Sequence, residues 1–486
     1  MAKLDHLALL EELTRLSAYS ETTEEGHFST GFHVVPEHLK AFDPTVLLVL
    51  GNRGCGKSYL FQAVTRHGLA GDLRRLVPTA RIPAAAHWVE GFTNEGKGRP
   101  DTATLISHFK KEPRAAQDFW LAALVRSLQP LLQGAGQPCD ELWRLPGARL
   151  GQWLEFVAEH GEAVTEVLDH LDDLLQQKQE VVFVGYDELD TLLDDDPARS
   201  GHALVGLIAF WARFHRRWKV LRPKLFLRTD LYRKFSTQGG ADLAKLSANR
   251  VEIRWSDLAL HGVLCKQILN LPDPGWGTFL GLKPTREDPR LGKLLEQRQP
   301  VDFKPAYQAL IGEYMGEGPR KGLAFRWPIE HVRDGLGTAH PRAMVELFRI
   351  AAERQRSTGR LPPRLPGDPP GRGTRQTLLQ PFHLRRALSD VSRIHVDHVG
   401  DVWSWMEQFR QLTSGRQTPT EREAWTELLE ASWARWAVPP NRDPESFLDE
   451  LLDIGVLRTR PDGRIDASDL YLDGLGLRRK GGVRRK

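Results

Sequence analysis

The sequence predicts an α/β fold: a doubly wound parallel sheet, a helical lid after it, and a small winged-helix-like module at the carboxyl end. Three observations predict the sheet. An apolar run, Val46 to Leu50, leads into a glycine-rich segment, Gly51 to Ser58, and then into a helical start at Tyr59 to Val64. A second apolar run begins at Glu180 and ends in two adjacent carboxylates, Asp187 and Glu188. A third, Lys224 to Asp230, follows a helical stretch over His202–Trp218, in which Leu204, Leu207, Ile208, Trp211 and Phe214 recur at three- and four-residue spacing. Strands that alternate with helices make parallel sheets, which bind ligands at the carboxyl ends of their strands.

The first of these elements carries the sharpest chemistry. Gly51, Asn52, Arg53, Gly54, Cys55, Gly56, Lys57 and Ser58 fit the pattern G-x-x-x-x-G-K-[ST] between a strand and a helix. Without Cβ atoms, Gly51, Gly54 and Gly56 let the backbone curl so that its N–H groups face a phosphate. The helix amino end adds its dipole to the same anion site. Lys57 is expected to reach the β- and γ-phosphates and Ser58 to ligate Mg²⁺, with Tyr59 closing the nucleotide-contacting stretch. About 130 residues later, Asp187 is expected to hold Mg²⁺, mostly through water, and Glu188 to polarise an attacking water. A strand ending in both acids points to hydrolysis. No Asn-Lys-x-Asp guanine motif occurs, so the expected nucleotide is ATP.

With these motifs in this order, the chain resembles AAA+ and STAND-like P-loop ATPases over about residues 41 to 355. The resemblance implies a P-loop NTPase core with further charged contacts. The strand after the two acids would carry a polar sensor, Thr229 or its neighbours Arg228 and Asp230; a helix cap at Thr229 or Asp230 explains the same residues equally well. The helix Ala241–Arg250 precedes a last strand, Val251–Trp255. Its end matches the position of the arginine finger that reaches a neighbouring subunit's γ-phosphate, so Arg250 is the candidate and Arg233 the second choice. His340-Pro341-Arg342 resembles the second sensor, whose arginine touches the γ-phosphate from the lid of the same chain. The implied active form is a homo-oligomer with sites between subunits, or a switch that recruits an effector protein. The chain departs from the pattern in a long insertion, with extra helices at Ala115–Leu132 and Arg149–Leu175. The pattern is also similar to bacterial P-loop ATPases that accompany mobile-element and antiphage systems, and a DNA-loaded initiator or transposition regulator is a further alternative.

Composition sets the limits. The 486 residues carry a net charge of +4, with 41% hydrophobic and 27% charged residues, as in an ordinary globular protein of two to four domains. No apolar run nears the ~18 residues of a membrane span. Residues Met1 to Thr14 read as an amphipathic helix, not a signal peptide. Three cysteines without paired spacing fit a reducing cytoplasm and exclude zinc or disulfide frameworks. Oxidation of Cys55 is not expected to regulate the loop.

The expected domains are a helix and strap over residues 1–40, with Phe28, Phe32, Val34 and Val35 on the ATPase core; the P-loop core over 41–255; the lid over 256–355; a Pro/Gly/Arg-rich linker over 356–376; a helical and winged-helix-like domain over 377–477; and a basic tail over 478–486. The winged-helix reading rests on helices at Glu421–Trp436 and Pro444–Ile454, followed by a hairpin turning at Pro461-Asp462-Gly463. The helix before the wing is acidic (Asp443, Glu445, Asp449, Glu450, Asp453), which phosphates repel and protein partners tolerate. Against that, the tail Arg478–Lys486 holds six cations and, with wing residues Arg458, Arg460 and Arg464, forms a candidate nucleic-acid edge. His395 and His398, near Asp397 and Asp401, read as ordinary surface residues rather than metal ligands.

Overall fold

A computed structural model describes residues 5–17, 25–94, 96, 98–134, 136–193, 201–238, 240–296, 299–362, 376–401, 403–436 and 443–479. The chain forms two compact units, residues 34–254 and residues 1–33 with 255–486. The first helix, α1 (His6–Leu13), belongs to the second unit.

The unit of residues 34–254 is the predicted α/β core. In chain order it contains β1 (Leu48–Gly51), α2 (Lys57–Thr65), β2 (Ala86–Phe92), α3 (Ala116–Ser127), α4 (Leu150–Lys178), β3 (Val181–Tyr186), α5 (His202–Phe214), β4 (Leu221–Arg228), α6 (Thr229–Gln238), α7 (Gly240–Ser247) and β5 (Arg250–Glu252). The strands run in the order β2-β3-β4-β1-β5, every pair parallel. Leu48, Val49, Val182, Phe183 and Val184 have no exposed surface, as expected for strands covered on both faces. β2 stands at the edge and is only half-buried along most of its length. Its polar residues His87 and Glu90 therefore leave no unbroken apolar run for sequence reading to find.

The long insertion is part of this core. α3, α4 and α5 bury Trp120, Trp153 and Trp211, and Trp120 Nε1 donates to Ala203 O at 2.8 Å. The acidic end of α4 explains itself in the same way. Buried Asp172 accepts the backbone N–H groups of Lys219, Val220 and Leu221 at 2.8, 2.8 and 2.9 Å, and so caps the start of β4. Asp169 meanwhile holds Trp218 Nε1 at 2.9 Å and Arg217 Nε at 2.7 Å. The insertion thus fixes where β4 begins, and with it the residues at its far end.

In the second unit one apolar core runs from Leu9 to Leu477. It packs α1 with α8 (Asp257–Leu269), α9 (Pro341–Arg356) and α10 (Pro381–Gly400), followed by the carboxyl-terminal module. Three differences from expectation stand here. Residues 1–33 cluster with the helical unit: Leu9, Leu10 and Leu13 are buried in its core, and Glu12 accepts Trp276 Nε1 at 2.7 Å. The lid and the winged-helix-like region also share a single core, because a Cβ on Gly335 would sit 2.2 Å from Leu457 O, and only glycine lets the two segments close. The lid is not wholly helical either, since β6 (Arg286–Asp288) and β7 (Gly292–Leu294) form an antiparallel hairpin within it.

The carboxyl-terminal module has the winged-helix arrangement. α11 (Met406–Thr413), β8 (Gln417–Thr418), α12 (Arg422–Trp433) and α13 (Pro444–Asp453) precede the antiparallel hairpin β9 (Leu457–Thr459) and β10 (Ile465–Ala467). Gly463, at φ 86°, makes the turn. α14 (Asp469–Leu472) and β11 (Arg478–Arg479) follow, and β11 pairs parallel to β8.

The wing arginines of the expected basic edge are ion-paired. Arg458 pairs with the fully buried Asp466 at 3.1 Å, Arg460 approaches the same carboxylate at 3.9 Å, and Arg464 pairs with Asp462 at 2.6 Å. Arg479 belongs to the fold rather than to a tail, since it holds Asp469 at 2.6 Å. Residues 480–486 of the predicted tail and 363–375 of the predicted linker lie outside the described residues. His395 is not a surface residue: its ring packs by Tyr471, its Nδ1 donates to Val391 O at 3.0 Å, and burial pushes its pKa down to about 3. Among the described residues no cluster could hold a metal ion through His, Cys, Asp and Glu alone, and no helix is long and apolar enough to cross a membrane.

Candidate nucleotide site

The glycine loop turns between β1 and α2. Gly54 and Gly56 sit at φ 76° and 90°, the left-handed region that glycine enters without steric cost. At Gly51 the constraint is space, because a Cβ there would meet Cys55 Sγ at 2.4 Å. Cys55 is itself buried beneath the loop, out of reach of oxidants. Asn52, Arg53, Gly54, Gly56, Lys57, Ser58 and Tyr59 are half-buried, forming a rim at the carboxyl end of β1. Lys57 folds back on the loop, donating Nζ–H to Gly51 O at 3.0 Å and to Asn52 O at 3.1 Å.

β3 delivers the two acids to the same rim. Asp187 is 3% exposed. Burial raises its pKa above the usual carboxylate range, against the pull of the Ser58 hydroxyl, which donates to it, and of the Lys57 ammonium. The buried Asp187 carboxylate and the Ser58 hydroxyl that donates to it place two hard oxygen donors on one rim. The fit with Mg²⁺ rests on that donor set. Glu188 lies in the left-handed region at φ 54°, a conformation sparsely populated for non-glycine residues. Its carboxylate accepts the backbone N–H of Asn94, just past β2, at 2.7 Å.

β4 lies between β1 and β3, so its last residues end between the loop and the acids. Of the three sensor candidates, two occupy each other. Arg228 grips Asp230 at 2.6 Å and Asp190 at 3.3 Å, and these carboxylates hold it firmly protonated despite its burial. Thr229 opens α6, and its buried hydroxyl has no hydrogen-bond partner among the described residues. It is therefore not a helix cap.

The arginines drawn from resemblance stand elsewhere. Arg250 is exposed at the amino end of β5, level with Leu48, with its Nη1 3.4 Å from Tyr232 Oη. Three residues of strand, about 10 Å, separate that level from Gly51. The Arg250 backbone thus lies one short strand below the loop, and its guanidinium packs over the Tyr232 ring at 5.4 Å. Arg233 is exposed on α6. Arg342 opens α9 in the helical unit, close enough to His395 to disfavour its protonation, with buried Glu346 one turn along and 3.9 Å from His395 Nδ1.

Sequence reading missed the residues contributed by β2. Thr93 and Asn94 follow that strand directly, and Arg99 folds back over the Phe92 ring at 4.6 Å, where burial lowers its pKa against the pull of Glu90 and Glu188. Asp190, just past the two acids, is the second carboxylate on Arg228. The signal for the first group was the short polar run Thr93-Asn94, which no apolar strand preceded.

No family model and no curated protein matches the chain. Several solved structures are similar at low identity. They include the Aeropyrum pernix ORC2 protein in its ADPNP–ADP complexes (12% identity, covering 90% of this chain and 86% of that one, TM-score 0.40). The Walker-type ATPase of Pyrococcus abyssi is 13% identical over 95% and 99% of the two chains, with a TM-score of 0.40. The Aeropyrum pernix ORC1 protein in complex with DNA is 15% identical over 98% and 93%, with a TM-score of 0.34.

Proposed function

We propose that this protein is a Mg²⁺-dependent ATPase of the AAA+ type that couples ATP hydrolysis to conformational change or assembly. One observation carries the reading: the Ser58 hydroxyl is bonded to the buried Asp187 carboxylate, with Lys57 beside both, at the mouth of a glycine loop that opens a helix. Ser58 and Asp187 hold the metal, which when bound neutralises charge on the phosphate oxygens. Lys57 exchanges its bonds to Gly51 O and Asn52 O for phosphate oxygens, so the loop carries its own placeholder for the ligand. The N–H groups of the loop and of the α2 amino end surround the β-phosphate. Glu188 takes the proton of the attacking water, and the Thr229 hydroxyl orients that water or the γ-phosphate. Arg250 faces outward and acts on a neighbouring subunit's site, while Arg342 acts from the lid of its own chain.

A specific observation favours a second reading, a slowly hydrolysing switch that recruits an effector. In the structure the Glu188 carboxylate is already engaged with the Asn94 N–H, which lowers its readiness as a base. Steady-state hydrolysis against protein concentration, for the wild type, Glu188→Gln and Arg250→Ala, separates the two. Turnover per subunit that rises with concentration and is lost in both variants, with ATP binding intact, supports the intersubunit ATPase. ATP binding with negligible turnover at every concentration supports the switch.

A further inference from the structure

The helical unit carries a cleft that neither the nucleotide site nor the wing uses. It lies between the end of α9 and the start of α10, has a volume of about 260 Å³, and is lined chiefly by Arg354, Phe382, His383, Arg386, Asp390 and Arg393. Asp390 is its one acid, shared between Arg354 at 2.7 Å and Arg393 at 3.1 Å, so two guanidinium groups meet a single carboxylate and Arg386 adds a third cation to the lining. Arg386 has no acidic partner among the described residues and lies 5.5 Å over the Phe382 ring. Phe382 is 51% exposed and, among the described residues, the one aromatic in the group of large apolar side chains left open to water. Burial, and then the nearby Arg354, lower the pKa of the His383 ring, which adds hydrogen-bonding capacity to the lining.

We propose that this cleft binds single-stranded nucleic acid, a phosphate lying against Arg386 and Arg354 and a base stacking on Phe382. The excess of cations asks for an anion, and a solvated aromatic face beside them asks for a planar group. An unpaired nucleotide supplies both within one residue, whereas a duplex keeps its bases stacked away from Phe382. The wing does not offer this chemistry, since the hairpin of residues 457–467 that carries Arg458, Arg460 and Arg464 holds no aromatic side chain to stack on.

The test is fluorescence anisotropy of a labelled 20-nucleotide strand with the full chain, its Phe382→Ala and Arg386→Ala variants, and a chain ending at residue 479. Both substituted side chains are exposed, so unchanged thermal melts are expected. Phe382→Ala should weaken strand binding about tenfold, the loss of one stacked base. Arg386→Ala should lower the slope of log K against log salt by about 0.7. Equal affinity of both variants and the wild type overturns the assignment, as does binding that vanishes only with residues 480–486. Equal competition by polyglutamate of the same charge overturns the stacking role, and displacement by dTMP at equal nucleotide concentration overturns the strand in favour of a free nucleotide.

Discussion

Asp187 is the residue at which a metal-binding role and a structural role predict opposite results. Its carboxylate is almost fully buried, and burial outweighs the help of Ser58 and Lys57, so its pKa lies above the ordinary range. Asp187→Asn keeps the shape and removes the buried charge. For a carboxylate that serves only the fold, breaking its partnerships destabilises. For one kept charged to hold a cation, neutralisation relieves an unfavourable burial, worth about 1–2 kcal/mol. The unit of about 220 residues has an unfolding entropy near 0.46 kcal/mol/K, so that gain raises Tm by about 2–4 °C without ligand. With ATP and Mg²⁺ at 100 times Kd, the wild type should gain about 2.7 kcal/mol, or about 6 °C, and EDTA should remove the metal-dependent part. In Asp187→Asn the shifts with and without Mg²⁺ should coincide. Differential scanning fluorimetry in four buffers reads all of this. A lower ligand-free Tm together with an intact Mg²⁺ increment would refute the metal assignment.

The remaining predictions touch other parts of the molecule. Glu188→Gln should cut kcat by about 10²–10⁴-fold while filter binding of ATP is retained; equal loss of binding would place Glu188 in the phosphate site instead. Asp172→Ala should destabilise the core by about 3 kcal/mol, lowering its Tm by about 6 °C, because three backbone N–H groups at the start of β4 lose their acceptor. Acid should loosen the helical unit. His261 and His395 titrate at about 4 and about 3 when folded against 6.5 when unfolded, so the unfolded chain takes up protons first and stability falls as pH drops through 6.5 toward those values. At pH 5 each should cost about 2 kcal/mol, checked by urea titration at pH 5 and pH 7.5, with His395→Gln removing its share.

The sequence was most legible where a local pattern and a local geometry are the same thing. The glycine loop needs its residues at fixed spacing, so Gly51–Ser58 can be read directly, as can Asp187 and Glu188 at the end of a buried strand. β2 was not legible: an edge strand need not be apolar, and His87 and Glu90 break the run. The same reason hid Asn94 and Arg99, which approach Glu188 only because β2 lies beside β3. The basic wing was legible as charge but its ion pairs were not, since the sequence separates Arg458 from Asp466 by eight residues and only the hairpin register brings them to 3.1 Å.

By itself, then, the sequence determined the kind of site: a glycine loop, a lysine, a serine and two acids, whose spacing along the chain already dictates a strand–loop–helix with an anion at its mouth. The tertiary structure decided everything that depends on which strands are neighbours. It brought Asp187 under Ser58, left the Thr229 hydroxyl without a partner among the described residues, set Arg250 against Tyr232, gathered Arg354, Arg386 and Phe382 into one cleft, and packed the first helix on the lid's core. Parallel strands have no hairpin to fix their order, and long-range pairing leaves no periodic mark on the chain, so these relations exist only once the sheet and the helical core have closed.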